Sequence, residues 1–426
     1  MKSNGLSALG RRTATPPISW LMATALARPG LISLAAGFTD KESLPLKEAR
    51  QALTEILNSP TEGRTALQYG TTAGEPALRR LTAERIRVLD GCADGAVYSA
   101  DRLLLTSGSQ QVLYMVTEAL CDPGDFVLVE DPTYFVFLGI LQSHGIHARG
   151  VRLETDGLDL AHLELVLEQL KQRGQLPRLK LLYLVSYHQN PTSTTTSFHK
   201  KQSVLSLLRY YERAAGHPIY LLEDAAYREL TFQGGDVQSA LGTGKQADRV
   251  LYAGTYSKPF ATGARVGYGI LPEPVFPVVM GIKGNHDFGS SSLLQQLLAK
   301  VISSGAYERH LVKLRARYAH KAKIMLDVLQ KEMPEGVRWV VPQGGLYYWV
   351  RVPEKATSGM KSRLFQTALR KQVLYVPGEL CYVDDPARPK PNHEMRLSFG
   401  AESETLLMEG IKRLAAAIML SLARRG

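Results

Sequence analysis

The feature that most constrains the fold is an alternation of short apolar runs with longer helical patterns over residues 75–300. Aliphatic and β-branched runs predict seven strands, at 103–107, 126–130, 147–153, 179–186, 219–223, 249–253 and 264–270. Segments with helical spacing, such as 110–120 and 203–215, separate several of these runs. The alternation is typical of an α/β domain whose mostly parallel, seven-stranded sheet is covered by helices.

The pattern changes after residue 300. A long helix is expected near 306–332, a shorter helix near 359–371, a strand at 395–399 and a final helix near 403–424. This order indicates a second, smaller α+β domain, and 426 residues are too many for one compact domain. We therefore predict an N-terminal arm and small-domain segment over 1–45, a large domain over 46–300 and a small domain over 301–426.

Composition and charge bear on the possible partners. The net charge of +11 comes from scattered Lys and Arg without a basic block, which favours a solvated surface and anionic ligands over nucleic acid. Three widely spaced cysteines argue against a disulfide framework or a zinc cluster, so we expect no metal and a reducing, cytoplasmic location.

The N-terminal stretch has two interpretations. Arg11-Arg12 followed by ISWLMATALA resembles a targeting signal, but the apolar run is short and also fits an amphipathic helix. No run approaches the roughly 20 apolar residues of a transmembrane helix, so we expect no membrane partner.

Polar side chains follow five of the predicted strands, at the edge where open α/β sheets bind ligands. In chain order these ends carry Ser107-Gly108-Ser109-Gln110, Tyr134, Asn190, Asp224 with Tyr227, and Lys258 with Arg265. Each signal alone is weak, since a Ser-Gly turn is also an ordinary helix start and an aromatic residue is usually core. One ligand accounts for all five: a flat ring with a phosphate, a phenolic oxygen, a basic nitrogen and an aldehyde, which is pyridoxal 5′-phosphate (PLP).

The sequence resembles the fold type I PLP enzymes, specifically the class I/II aminotransferases of the aminoadipate and kynurenine aminotransferase branch. The resemblance runs from about Leu31 to Phe399, and its most specific motif is Ser257-Lys258 followed by Gly263-x-Arg265. It implies a transaminase that moves an amino group from an α-amino acid to a 2-oxo acid by a ping-pong mechanism. It also implies a homodimer with shared active sites.

The resemblance implies cofactor-binding roles for many of these residues. Lys258, Asp224 and Tyr227 would be catalytic: Lys258 carries the cofactor, Asp224 pairs with the ring nitrogen, and Tyr227 with Asn190 contacts the phenolic oxygen. Tyr134 would stack on the ring. The phosphate would be bound by Ser107, Gly108, Ser109, Gln110, Thr255, Ser257, Arg265 and, from the neighbouring subunit, Tyr69.

The resemblance also implies a substrate side, formed by Gly37, Asn190, Arg396 and the N-terminal helix. Arg396 would bind the α-carboxylate, and Gly37 lies in the segment that closes over the substrate. No Lys or Arg lies between Pro16 and Ala27, so we predict aromatic or large apolar donors, with Trp20 or Leu21 near the pocket. The same helix could instead pack on the dimer partner.

Two other functions remain open from the sequence. A PLP-dependent lyase, decarboxylase or synthase would share every cofactor residue. An effector-binding half of a transcription regulator would also keep the lysine, although the segment before Leu31 is too short for a winged helix. One departure from the family pattern is Ser193, which follows Asn190-Pro191-Thr192 where glycine is usual.

Overall fold

The computed structural model describes residues 5–93, 95–386 and 388–423. Its α-helices are α1 (Ala8–Arg12), α2 (Pro17–Ala27), α3 (Leu46–Asn58), α4 (Pro60–Ala66), α5 (Pro76–Leu89), α6 (Ser109–Leu120), α7 (Phe135–His144), α8 (Leu160–Gln172), α9 (Phe198–Ala215), α10 (Val275–Asp287), α11 (Ser292–Ser303), α12 (Ala306–Glu332), α13 (Arg363–Arg370) and α14 (Glu404–Leu422). Its strands are β1 (Ile32–Ser33), β2 (Leu103–Thr106), β3 (Phe126–Asp131), β4 (His147–Glu154), β5 (Gly157–Leu158), β6 (Leu179–Val185), β7 (Tyr220–Asp224), β8 (Val250–Thr255), β9 (Gly267–Ile270), β10 (Arg338–Val340), β11 (Tyr347–Arg351), β12 (Val373–Leu374), β13 (Val376–Pro377) and β14 (Glu394–Ser398).

The main sheet has the order β2-β9-β8-β7-β6-β3-β4-β5. Strands β8, β7, β6, β3 and β4 run parallel, whereas β9 is antiparallel to both of its neighbours. The predicted α/β fold and its seven strands are confirmed. The eighth strand, β5, has only two residues and pairs with the end of β4, which makes it too short to give a sequence pattern.

Both faces of the main sheet are buried, as expected for parallel strands covered by helices. Along β6, Leu181 and Tyr183 pack into one hydrophobic cluster, and Leu182 and Leu184 pack into the other. Helices α6, α7 and α10 contribute to the first cluster, and α8, α9 and α11 to the second. The carboxyl ends of the parallel strands therefore meet at one rigid edge.

A second, four-stranded antiparallel sheet has the order β10-β11-β14-β13. The long helix α12 packs on α14, which also packs on α13. Helix α13 begins later than predicted because the Ser362 side chain accepts a hydrogen bond from the Phe365 N–H and caps it at residue 363. Helix α14 is described to Leu422, and residue 424 of its predicted range lies outside the described residues.

The N-terminal segment is tied to the C-terminal part of the chain. Strand β1 pairs in parallel with β12, with Ile32 opposite Val373. Helix α2 forms where helical spacing predicted it, and Leu21 is its buried residue. In the described ranges, no helix has both the length and the hydropathy that crossing a membrane requires.

Candidate active site

A cavity of about 130 Å³ opens at the carboxyl edge of the main sheet. It brings together eleven residues that the sequence singled out: Gly108, Ser109, Gln110, Tyr134, Asn190, Asp224, Tyr227, Thr255, Ser257, Lys258 and Arg265. They come from the ends of separate strands, and Leu113, Val185, Ala226 and Thr262 complete the lining. Residues far apart in the chain thus meet because parallel strands end at one edge.

One end of the cavity is built to receive an anion. Helix α6 begins after Gly108, whose φ is 76°, and no side chain caps that helix start. Its first N–H groups therefore face the cavity with the positive end of the helix dipole. A β-carbon at Gly108 would lie 2.8 Å from Arg265 Nη2, so only glycine leaves this space open. The Ser257 hydroxyl is buried there without a hydrogen-bond partner in the described residues.

The opposite end holds a buried carboxylate. Asp224 Oδ2 accepts a hydrogen bond of 2.9 Å from the Tyr183 hydroxyl, and Oδ1 accepts one of 3.0 Å from the Ala226 N–H. Burial raises the pKa of Asp224 to about 6, although both hydrogen bonds act to lower it. A cation at this position would favour the ionised form, which is what a protonated ring nitrogen supplies.

Lys258 also lines the cavity. Its Nζ donates a hydrogen bond of 2.6 Å to the Gly37 carbonyl oxygen. Burial lowers the pKa of Lys258; Tyr347 opposes this shift, whereas Arg396 and Arg265 add to it. A lysine with a lowered pKa is more often neutral, and only the neutral amine can attack a carbonyl carbon.

Arg396 is a second buried cation and is only 2 % exposed. Its Nη1 donates to Asn190 Oδ1 over 2.8 Å, and its Nη2 donates to the Ala35 carbonyl oxygen over 2.7 Å. Its Nε has no hydrogen-bond partner, and no carboxylate within the described ranges forms an ion pair with it. A buried guanidinium without an anion is suited to a carboxylate ligand.

The donor set fits PLP feature by feature. The helix start, Ser257 and Arg265 suit the phosphate; Asp224 suits the ring nitrogen; Lys258 suits the aldehyde. A ring between them would meet Tyr134 and Val185, which line the cavity.

Comparisons with known proteins agree with this geometry. The family model "Aminotransferase class I and II" matches residues 29–414. The chain is 32% identical over 390 residues to aromatic-amino-acid aminotransferase 1 of Thermococcus litoralis, covering 91% of this chain and 88% of that protein. It is 31% identical over 393 residues to the 2-aminoadipate transaminase of Thermus thermophilus, with 92% and 91% covered. The solved structure of Pyrococcus horikoshii kynurenine aminotransferase superposes with a TM-score of 0.88 at 30% identity, covering 99% and 98%.

The chain belongs to the class I and II aminotransferases. It is a PLP-dependent transaminase of fold type I, as the resemblance implied.

Five predicted residues of this aminotransferase lie outside the cavity lining: Ser107, Gly37, Arg396, Tyr69 and Trp20. Ser107 borders it, since its carbonyl oxygen accepts a hydrogen bond from Arg265 over 3.4 Å. Gly37 and Arg396 border it through Lys258 and Asn190. Tyr69 is 81% exposed, and its ring lies nearly perpendicular to that of Phe288, with the ring centres 5.6 Å apart.

Trp20 packs against the C-terminal part of the chain. It does not line the cavity, and its ring packs 6.1 Å from that of Phe365 in α13. The reason lies in the rotation of α2, which buries Leu21 and leaves Trp20 against the small C-terminal helix. The place of Trp20 beside a bound substrate stays a prediction.

Two tyrosines of the aminotransferase site were missed. Tyr183 lies two residues before the end of β6, diagonal to Asp224 on the same face of the sheet, so strand alternation could have identified it. Tyr347 comes from β11 in the second sheet, and its hydroxyl lies 3.0 Å from that of Tyr227. No local pattern indicates that contact, because it depends on how the two sheets pack.

Proposed function

We propose that this aminotransferase takes aromatic or large apolar α-amino acids as donors and passes the amino group to a 2-oxo acid by a ping-pong mechanism. The proposal rests on the number of Lys and Arg side chains at the site. Lys258 and Arg265 line the cavity and Arg396 borders it. Each has a task within transamination, so that among the described residues lining or bordering the cavity no further cation is left for a side-chain carboxylate.

The N-terminal helix supports the same donor class. Helix α2 carries no Lys or Arg, and Arg28, just after it, is exposed. Burying an unpaired carboxylate costs several kcal/mol. An apolar side chain gains roughly 1.5–3 kcal/mol from burial. Phe38, which follows Gly37 and is 40% exposed, offers apolar surface near the closing segment.

We assign the chemical steps as follows. When bound, PLP supplies an electrophilic carbon and a ring that accepts electrons from the substrate Cα. Lys258 Nζ, whose lowered pKa favours the neutral amine, would take the proton from Cα and deliver it to the cofactor. Asp224 keeps the ring nitrogen protonated, and Arg396 orients the substrate through a bidentate contact with its α-carboxylate.

We assign the cofactor contacts in the same way. Tyr134 stacks on the ring, and Tyr227 with Asn190 holds the phenolic oxygen. The phosphate lies against Ser107, Gly108, Ser109, Gln110, Thr255, Ser257 and Arg265. The unpartnered Ser257 hydroxyl and the uncapped start of α6 support this arrangement.

We further propose a homodimer in which Tyr69 reaches the partner's phosphate. Tyr69 and Phe288 form an aromatic pair that is 81% and 58% exposed, and Leu67 beside it is 71% exposed. Such a patch is typical of a protein interface. The division into an arm (1–45), a large domain (46–300) and a small domain (301–426), and a cytoplasmic location, are parts of the same proposal.

Steady-state kinetics test the donor class. The kcat/KM should be higher for phenylalanine, tyrosine, kynurenine or leucine than for aspartate or 2-aminoadipate. A dicarboxylate that exceeds every apolar donor contradicts the proposal, and an Arg28→Ala variant then shows whether Arg28 supplies the missing cation. Product analysis separates the other chemistries, since transamination alone yields one oxo acid per amino acid formed from the acceptor.

A further inference from the structure

Tyr347 has no part in the roles assigned above, yet its hydroxyl contacts that of Tyr227, which lines the cavity. Its hydroxyl is 3.0 Å from the Tyr227 hydroxyl, and the two rings meet edge to face at 5.7 Å. Tyr347 is only 1% exposed and Tyr227 only 6%. A buried hydroxyl that bonds a cofactor-binding tyrosine influences how that tyrosine donates its own hydrogen bond.

The backbone of Tyr347 is held by an unusual residue. Ser193 has a φ of 65°, a left-handed conformation that glycine adopts freely and serine adopts at a cost. Its hydroxyl donates a hydrogen bond of 2.7 Å to the Tyr347 carbonyl oxygen. The serine therefore accepts a less favourable backbone conformation and forms a hydrogen bond that links the turn after Asn190 to β11. Tyr347 is held by hydrogen bonds at its backbone and at its hydroxyl.

Several charged and titratable groups face the two hydroxyls. They are Lys258, Arg396, Tyr134 and Cys381. The Arg396 guanidinium lies 4.2 Å from the centre of the Tyr347 ring, a cation–π contact that does not involve the hydroxyl. Burial alone would raise the pKa of Tyr347, but Arg396 and Lys258 bring it below its usual value. The Tyr347 hydroxyl is therefore a good hydrogen-bond donor.

The geometry fixes what this donor can do. When Tyr227 donates its proton to the cofactor's phenolic oxygen, the Tyr227 oxygen still has lone pairs, and the Tyr347 hydroxyl is within reach of them. A chain of hydrogen bonds polarises each member, so the first bond strengthens the second.

We propose that Tyr347, tethered by Ser193, is a further positioning residue of the site, whose hydroxyl strengthens the hydrogen bond from Tyr227 to the cofactor. This inference rests on the proposed role of Tyr227. A stronger bond stabilises the ionised phenolic oxygen, which lowers the pH at which the bound cofactor loses its proton. The pH midpoint of the cofactor's visible absorbance change measures that effect directly.

Tyr347→Phe removes the hydroxyl and keeps the ring over Arg396. Its midpoint should rise by about half a pH unit, and kcat should fall while KM for the donor stays nearly constant. Tyr348→Phe is the matched control, because the neighbouring Tyr348 hydroxyl bonds the Ala322 carbonyl oxygen instead. Its midpoint should equal that of the wild type.

Two more variants separate the parts of the proposal. Ser193→Gly suits the left-handed backbone, so the protein should fold, and its midpoint should rise less than that of Tyr347→Phe. When Ser193→Gly is combined with Tyr347→Phe, the midpoint should equal that of Tyr347→Phe alone. An unchanged Ser193→Gly midpoint overturns the tether.

Tyr227→Phe tests the role on which the inference rests. Its midpoint should rise at least as far as that of Tyr347→Phe. If Tyr227→Phe shifts the midpoint and Tyr347→Phe does not, the role of Tyr347 is wrong and that of Tyr227 stands. If neither shifts it, the proposed role of Tyr227 fails as well.

Discussion

A β-carbon added to Gly37 would lie 2.6 Å from the Tyr347 hydroxyl oxygen, but 3.8 Å from the Tyr347 ring carbon that bears it and 3.8 Å from Lys258 Nζ. The first distance is too short for a real contact, whereas the other two are ordinary. The hydroxyl oxygen of Tyr347, in β11, therefore leaves no room for a side chain at position 37. The carbonyl of the same glycine accepts the hydrogen bond from Lys258.

Gly37→Ala should consequently displace the segment over the substrate. We expect kcat/KM to fall by about tenfold or more, since small displacements of positioning groups are costly. Tyr347→Phe removes the clashing oxygen, so the double variant Gly37→Ala/Tyr347→Phe should be no slower than Tyr347→Phe alone. Additive losses in this double-mutant cycle would show that the hydroxyl is not the obstacle.

Lys258→Ala should retain the cofactor through its phosphate contacts but lose the absorbance of lysine-bound PLP. Turnover should fall by at least about 100-fold, the lower range for loss of a general base. Arg265→Ala is the complementary variant: it should weaken cofactor binding yet keep the absorbance at saturating PLP. Near-wild-type turnover in Lys258→Ala would exclude Lys258 as the catalytic lysine.

The buried carboxylate of Asp224 should lower the free energy of unfolding of the apoenzyme at neutral and alkaline pH. Its pKa in the folded chain is raised to about 6, so the folded state binds more protons than the unfolded state between about pH 4 and pH 6. Its stability therefore decreases as the pH rises through that window. At pH 8 the cost is up to about 3 kcal/mol.

Asp224→Asn removes this cost and keeps the shape. The apoenzyme should unfold at a higher denaturant concentration than the wild type at pH 8, and at the same concentration near pH 4. Asp101→Asn, an exposed carboxylate, serves as the control. The variant should also bind PLP more weakly, because the ring nitrogen loses its partner. A less stable Asp224→Asn apoenzyme at pH 8 would contradict the electrostatic argument.

Asp40, three residues after Gly37, forms a buried ion pair with the long helix α12. Asp40 Oδ1 accepts a hydrogen bond of 3.0 Å from Lys321 Nζ, and Oδ2 one of 3.2 Å from Arg317 Nε. Burial raises the pKa of Asp40, but hydrogen bonds from Ser43, Lys321 and Arg317 bring it below its usual value. The resulting stabilisation is present above about pH 4 and is lost as the pH falls through the folded pKa.

Asp40→Asn should lower the free energy of unfolding by about 3 kcal/mol at pH 7, since it leaves Lys321 buried without its carboxylate. KM for the donor should rise more than kcat falls, because the segment that carries Gly37 loosens. Asp327→Asn on the same helix breaks only an exposed pair with Lys323 and should change stability by less than about 1 kcal/mol. Equal effects of the two substitutions would rule out a special role for the Asp40 pair.

Most of the fold and of the cofactor side of the cavity could be predicted from the sequence. Strands β2 to β4 and β6 to β9 and the polar residues that follow several of them are local patterns, and parallel pairing brings those ends together without further information. Local patterns did not give the start of β9 correctly. The strand predicted at 264–270 begins only at Gly267, because Arg265 has a left-handed φ of 50°.

The substrate side could not be predicted as well, because it depends on contacts across the chain. Tyr347 reaches Tyr227 only through the packing of β11 against the main sheet. The burial of Leu21 sets the rotation of α2 and places Trp20 near Phe365, and an almost uniformly apolar helix does not reveal that rotation. Ser193 adopts a left-handed φ of 65°, and the hydrogen bond from its hydroxyl to Tyr347 could not be read from the sequence.

The last prediction concerns assembly. If Tyr69 donates a hydrogen bond to the partner's phosphate, Tyr69→Phe should weaken PLP binding by about 10- to 100-fold, the range for a lost bond to a charged group. The dimer itself should persist, because the aromatic ring still packs on Phe288.

Tyr210→Phe is the matched control, since Tyr210 is likewise exposed, at 73%, but lies on α9. Sedimentation should show a dimer for the wild type and both variants. A fully active wild-type monomer would exclude the shared site, and unchanged PLP affinity in a dimeric Tyr69→Phe would exclude Tyr69 as the residue that completes it.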